Sequence, residues 1–295
     1  MRAFRVLSNF PMNTNNNILL DPPATHPNQM LWEKGNYCAI ADFMRESGKA
    51  LVHSLDLKLP LRALDLCCGD GNTAVPLAQR GVEVVGVDIS RNLLANAQCR
   101  AEAAQVASRL RLLHGDASRL TLLASQSFDL TLSIFGAMFA LAPAEVAREM
   151  VRVTKSGGRI IMGNWIANDP KSFVSQLLRV SANYAPPPPA GFISPMRWGD
   201  PEQVTEWFGG AGIAADRISF QRDSFTFRCA GSPEEFINTY RRFYGPTMNA
   251  YAAAEQQGRV DRLHRELVAL AEEHAVQTDH GITVPATYLR VTVQC

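Results

Sequence analysis

The chain has 295 residues, 46% of them apolar and 19% charged, enough for one large domain or for one domain with insertions. A net charge of +1 and scattered basic residues exclude strong electrostatic steering toward nucleic acid or an anionic membrane surface. No apolar stretch approaches the roughly 18 residues of a membrane span, and cysteines 38, 67, 68, 99, 229 and 295, with no Cys-x-x-Cys pair, read as thiols of a reducing cytoplasm.

In chain order, residues 1–29 are rich in Asn and Pro and lack periodic apolar pattern, so they read as an arm without fixed structure. Pro11 and the Asn-rich patch break the apolar run that a signal peptide needs. From Met30 to Leu55, Ile40, Phe43, Met44 and Leu51 recur at helical spacing. Ala63–Leu66 reads as a buried strand, Thr73–Arg80 as a helix and Glu83–Val87 as a second strand. A long helix runs from the N-cap candidate Ser90 to about Ala107. Leu110–Leu113 and Phe128–Ser133 are the third and fourth strands, a helix spans roughly Ala144–Val153, and Gly158–Met162 is the fifth strand. Strands alternating with helices of this length specify a parallel sheet covered on both faces, and right-handed crossovers make it doubly wound.

The second half differs. Residues 170–212 hold a short helix and four prolines at 186–189, and Arg217–Cys229 reads as a long strand. Two helices follow, about 232–244 and 247–275, and Thr287–Val293 closes as a last strand. The expected fold class is α/β: a Rossmann-like, doubly wound sheet of about seven strands. A cofactor-binding core spans 30–168; 169–295 carries two helical insertions plus the last two strands of the same sheet. The insertions, 170–212 and 232–277, are expected to form a lid.

Gly69-Asp70-Gly71-Asn72-Thr73-Ala74 follows the first strand of this series and fits G-x-G-x-x-A, a pattern that dinucleotide sites share. Asp65 ends that strand and Asp70 sits inside the turn, with no Lys or Arg between them. A phosphate ~4 Å from a carboxylate suffers roughly 4 kcal/mol of repulsion at an effective dielectric of ~20. A ligand with an ammonium and a sulfonium is attracted instead, while the turn's N–H groups can hold its carboxylate. S-adenosylmethionine has all three groups. Asp88, at the tip of the next strand, suits ribose hydroxyls, a feature that NAD sites share. Asp116, in Gly115-Asp116-Ala117 at the third tip, suits an adenine amino group.

With these residues the chain resembles the class I S-adenosylmethionine-dependent methyltransferases. The matching stretches are D-x-x-x-G-x-G at 65–71, Asp88, the GDA at 115–117, FDLTLSIFG at 128–136 and the SGG turn at 156–158. More narrowly it resembles the bacterial branch grouped with ubiquinone/menaquinone-biosynthesis-type methyltransferases, through Trp32, Ser133–Phe139, Pro187–Asp200 and Tyr288–Val291. The resemblance spans about residues 30–295. It implies S-adenosylmethionine as cofactor, held by Trp32, Asp65, Cys67, Gly69, Gly71, Asn72, Asp88, Ile89, Asp116, Ala117, Ser133 and Phe135. Cys67-Cys68 departs from the pattern, where small residues such as Ala are usual; one of the two is expected to pack in the core and the other to border the cofactor.

The aromatic residues bear on the methyl acceptor. Phe135 and Phe139 follow strand four, Trp165 follows strand five, and Tyr184, Trp198 and Tyr244 lie in the insertions. Ligands of open α/β sheets bind beyond the C-terminal strand ends, so Phe139, Trp165, Tyr184, Trp198 and Tyr244 are candidates for an apolar or aromatic small-molecule acceptor. Arg197 is a candidate for a substrate carboxylate, or for an ion pair with Asp200 or Glu202. Asp21-Pro22-Pro23-Ala24 is similar to the motif of amino-group methyltransferases, but it lies far from the fourth strand and lacks the stacking aromatic. No general base and no metal-ligand spacing stands out, and the oligomeric state is not legible. The expected partner is a small molecule, without nucleic acid or membrane insertion. The alternatives are a macromolecule-modifying methyltransferase and a non-catalytic adenosine-ligand-binding protein; the elaborate insertions favour a small substrate.

Overall fold

The computed structural model describes residues 19–20, 27–188 and 191–295. A short strand β1 (Leu19–Leu20) and helices α1 (Pro27–Glu33) and α2 (Cys38–Ser54) precede the alternating region. That region comprises β2 (Arg62–Leu66), α3 (Ala74–Gln79), β3 (Glu83–Asp88), α4 (Arg91–Ala103), β4 (Leu110–His114), β5 (Phe128–Ile134), α5 (Pro143–Val153) and β6 (Thr154–Trp165). Then come α6 (Phe173–Ala182), α7 (Pro201–Gly210), β7 (Ile218–Cys229), α8 (Pro233–Phe243), α9 (Gly245–Gln256), α10 (Val260–His274), β8 (Val276–Thr278) and β9 (Gly281–Gln294).

The strands form one nine-stranded sheet in the order β1-β4-β3-β2-β5-β6-β9-β7, with β8 paired to β9. β1 to β6 are mutually parallel, and β9 runs antiparallel to both β6 and β7. Leu64, Leu66, Val85, Val87, Leu112, Leu130 and Leu132 are all buried, as strands covered on both faces require. Each such side chain contributes roughly 1.5–3 kcal/mol by leaving water. α4 starts where the sequence places it: Ser90 Oγ accepts from Leu93 N at 3.3 Å, and Leu94, Ala97 and Ala101 form its buried stripe.

From β2 the chain steps outward to β3 and β4, then returns to the other side of β2 as β5. The order therefore reverses beside β2, and a crevice opens at the C-terminal ends of β2 and β5.

The differences from the sequence reading have local causes. The helical pattern from Met30 is two helices, broken around Gly35, where an added Cβ would lie 2.5 Å from the Phe243 carbonyl oxygen. The 247–275 pattern divides at Gly258, whose φ is +65°. The sheet exceeds seven strands because β8 forms a hairpin with β9 and because Leu19–Leu20 pair with Leu113 and His114. That pair, and the start of α1 at Pro27, fall inside the expected unstructured arm; its other residues up to 26 lie outside the described residues. Of the insertions, α7 packs on α5, whereas α6, α8, α9 and α10 pack together, with α8 against α2 and α9 against α1.

Candidate cofactor and acceptor site

A cleft of about 950 Å³, open to solvent on one side, lies at the crevice beside β2. The floor is built from strand exits: Cys67–Asp70 and Asn72–Thr73 after β2, Asp88–Ile89 after β3, Gly115–Ala117 after β4 and Ile134–Gly136 after β5. The roof is Asn28 and Trp32 of α1, Tyr37, and Ala41, Met44 and Gly48 of α2. Phe139, Ala140 and Phe225 close one side. Asn28 Nδ2 donates to the Phe139 carbonyl at 2.6 Å and so ties α1 to the segment after β5.

The turn after β2 alternates in hand. Cys67, Gly69 and Gly71 all take left-handed backbone, with φ of +57°, +56° and +85°. The two glycines serve different ends. A Cβ at Gly69 would meet no atom within 4 Å, so this position faces open cavity; one at Gly71 would press on Val75 at 3.1 Å. Cys67 accepts a conformation that costs a side-chain-bearing residue about 1–2 kcal/mol. Phe135, at the exit of β5, is also left-handed at φ +60°. Its ring lies flat on Trp165, with centroids 3.7 Å apart and planes within 1°. Phe225 and Tyr288 meet it edge-on at 5.0 and 5.2 Å.

Three carboxylates, Asp70, Asp88 and Asp116, line the cleft, and no Lys, Arg or His does so among the described residues. Asp88 accepts from the backbone N–H groups of Gly69 and Ser90, each at 2.8 Å. Burial pushes its carboxyl up to about 6, against those hydrogen bonds. Asp65 lies beneath the turn and accepts from Thr73 Oγ1 at 2.6 Å; burial pushes it up to about 7. Asp70 corrects the charge argument drawn from the sequence. It is not a bare acid in the turn, because Arg45 of α2 and Arg100 of α4 reach it at 2.9 and 3.3 Å. The negative excess at the strand tips therefore rests on Asp88, with Asp65 below.

Of the residues expected at the cofactor, Trp32, Cys67, Gly69, Asn72, Asp88, Ile89, Asp116, Ala117 and Phe135 line the cleft. Asp65, Gly71 and Ser133 stand one layer beneath. Ser133 Oγ donates to the Leu66 carbonyl at 2.8 Å and accepts from Ala137 N at 2.9 Å, fixing the exit of β5 against β2. Cys68 is buried against Gly86, while Cys67 is half-buried at the cleft wall.

The expected acceptor residues separate. Phe139 lines the cleft. Trp165 stands behind Phe135, and Tyr244 behind Trp32 and Tyr37 at 6.2 and 6.1 Å. Tyr184, Arg197 and Trp198 do not reach it. Tyr184 lies under the Arg259 guanidinium at 4.5 Å, Arg197 bonds Gln203, and Trp198 packs on Trp207 at 4.6 Å. These groups fix the insertions to each other and to the sheet. Helices α8 and α9 thus stand behind the roof while α7 lies on α5, and the roof's inner surface belongs to α1, Tyr37 and α2. Sequence reasoning missed Tyr37, Met44, Gly136 and Phe225. Only Gly136, beside Phe135, carried a local signal.

Residues 64–162 match the protein family described as a methyltransferase domain. An uncharacterised protein of Mycobacterium tuberculosis is 34% identical over 257 residues, which cover 85% of this chain and 89% of that protein. The chain belongs to the class I S-adenosylmethionine-dependent methyltransferases, and S-adenosylmethionine is its cofactor. Within that class it resembles the ubiquinone/menaquinone-type branch. A demethylmenaquinone methyltransferase of Paenarthrobacter aurescens is 28% identical over 179 residues, 56% of this chain and 66% of that one. In fold it is similar to the phosphoethanolamine N-methyltransferase 2 of Haemonchus contortus, solved with phosphomonomethylethanolamine and S-adenosylhomocysteine. The TM-score is 0.54 at 17% identity, over 90% of this chain and 59% of that one. No helix among the described residues is long and apolar enough to cross a membrane.

Proposed function

We propose that the enzyme methylates a small apolar or aromatic acceptor that carries no negative charge. The observation that carries this reading is the lining of the cleft. Beyond the strand tips it is apolar, through Met44, Ile134, Phe135, Phe139, Ala140 and Phe225, and no cationic side chain lines it among the described residues. A buried acceptor carboxylate or phosphate would find no cationic side chain in the lining and would face Asp88, at a cost of roughly 4 kcal/mol for a close like-charge pair.

The cofactor fits the same lining. In this reading Asp88 takes the ribose hydroxyls and Asp116 the adenine amino group, which their positions in the cleft lining support. The free space at Gly69 admits the ligand against backbone. S-adenosylmethionine supplies a methyl group already activated on a sulfonium. The chain's own part is to hold the acceptor in line and to keep water out, which the roof of α1 and α2 favours. Burial pushes the Cys67 thiol and the Tyr37 hydroxyl well above their usual ranges, so neither serves as a base near neutral pH. The half-enclosed cleft favours a small acceptor over a macromolecule. All six cysteines are free, which suits a cytoplasmic enzyme.

The test is a metabolite screen by mass spectrometry, followed by matched acceptor pairs that differ only in a carboxylate against its ester or amide. The neutral member should have the higher kcat/KM. A preference for the anionic member would overturn the reading.

A further inference from the structure

Asp70 belongs to the turn that faces the cofactor, yet its partners come from helices on either side. Arg45 of α2 donates to Asp70 Oδ2 at 2.9 Å and to Asn72 Oδ1 at 3.0 Å. Arg100 of α4 donates to the Asp70 carbonyl at 2.5 Å and to Asn72 Oδ1 at 3.2 Å. Asn72 Nδ2 returns a hydrogen bond to the Ala41 carbonyl of α2 at 2.9 Å. A Cβ at Gly48 would lie 2.8 Å from the Asn72 carbonyl oxygen, so α2 and the turn touch backbone to backbone.

Ala41, Arg45 and Gly48 follow i, i+4, i+7 spacing and share one face of α2. Ala41 and Gly48, together with Met44, also line the cleft. The face that seats α2 on the turn is thus continuous with the face that covers the ligand. α2 has no covalent tie to the turn nearer than β2, so its seating depends on these contacts. Among them Arg45 alone joins a side chain of α2 to both Asp70 and Asn72.

We infer that Arg45 is a positioning residue: it braces the roof helix α2 against Asp70 and Asn72, so that the cofactor is held tightly only when the roof is seated. This rests on the cofactor reading given above. Arg45 does not line the cleft, and Arg100 still faces Asp70 when Arg45 is removed. Loss of Arg45 therefore frees the roof without leaving Asp70 as a buried, uncompensated charge.

The experiment compares wild type with Arg45→Ala, Arg45→Lys and Arg100→Ala in the full chain. Calorimetry reads binding of S-adenosylmethionine and of S-adenosylhomocysteine, and hydrogen exchange without ligand reads residues 38–54. Arg45→Ala should weaken both ligands by the same factor, about tenfold. Its kcat at saturating cofactor should stay within about twofold, and α2 should exchange faster. Arg45→Lys should recover part of the affinity, because an ammonium reaches Asp70 but cannot fork to Asn72 as well. Arg100→Ala should leave exchange in α2 unchanged. Unequal loss of the two ligands would show that Arg45 acts through charge on the sulfonium, and would overturn the proposal. Unchanged exchange in α2 would overturn it also. Should Arg45→Ala not fold, Arg45→Gln, which keeps a donor and loses the fork, carries the same comparisons. Failure of the wild type to bind S-adenosylmethionine would sink the cofactor reading instead, while the exchange measurement still judges the brace.

Discussion

The backbone of Gly136 lies against Cys67: a Cβ added at Gly136 would fall 2.4 Å from Cys67 Cβ and 2.7 Å from its carbonyl oxygen. The exits of β2 and β5 are thus in contact, and each carries a left-handed non-glycine residue, Cys67 and Phe135. Gly136→Ala should push the two exits apart. Overpacking of this kind costs typically 1–3 kcal/mol. Because both exits line the cleft, cofactor affinity should fall together with stability. Denaturant unfolding and calorimetry check this, and a variant with normal stability and normal affinity would show that the contact relaxes without cost.

Asp88→Asn should weaken S-adenosylmethionine binding by about 1.5–3 kcal/mol, the range for hydrogen bonds to a charged group. Asparagine keeps the size and one acceptor oxygen, so one of the two backbone N–H bonds from Gly69 and Ser90 survives while the charge and the other bond are lost. Unchanged affinity by calorimetry would remove Asp88 from the site.

Cofactor affinity should rise with pH. Burial raises the folded-state carboxyls of Asp65 and Asp88 to about 7 and about 6, above the ordinary 3.8. A raised carboxyl binds its proton more tightly in the folded than in the unfolded chain. Its burial therefore costs nothing at acid pH, and the cost grows as pH climbs from the ordinary value to the folded one. A cationic ligand favours the ionised forms, so binding should release protons and tighten between about pH 5.5 and 7.5. Calorimetry in two buffers of different ionisation enthalpy measures the release. Affinity flat across that window with no proton release would contradict the assignment.

Aromatic residues behind the site and at the site should separate in mutants. Trp198 is fully buried against Trp207 and Phe208 and does not line the cleft. Trp198→Ala should cost about 3–5 kcal/mol of stability and leave the cofactor dissociation constant near wild type. Phe139→Ala and Phe225→Ala, which open the cleft wall, should instead lower acceptor turnover. A Trp198→Ala variant with normal stability and impaired turnover would reverse this assignment.

The parallel half of the sheet is legible in the sequence because its strands are covered on both faces and read as short apolar runs between turn residues. The floor of the site is legible for a related reason, since Gly69, Asp88 and Asp116 all sit at strand tips that the turn signals mark. The roof is not. Tyr37 and Met44 look like any helical core residues, and nothing local tells that α2 folds back over the strand tips. The partners of Asp70 escape for the same reason: Arg45 and Arg100 stand 25 and 30 residues away on separate helices. Aromatic residues are equally ambiguous. Trp198 and Phe139 have the same chemistry, and only packing decides that one joins elements while the other meets ligand.

The position of β9 between β6 and β7 orders the events of synthesis. β7 pairs with β9 at every position from Ile218 to Cys229, and β6 takes β9 along its outer edge. While a ribosome is still translating α8 to α10, the edge of β6 is open and β7 has no strand beside it. The nascent chain thus passes through an interval in which a 12-residue strand, carrying Phe225 and Phe227, waits for a sequence not yet made. In that interval an open sheet edge is exposed to pairing with a neighbouring chain.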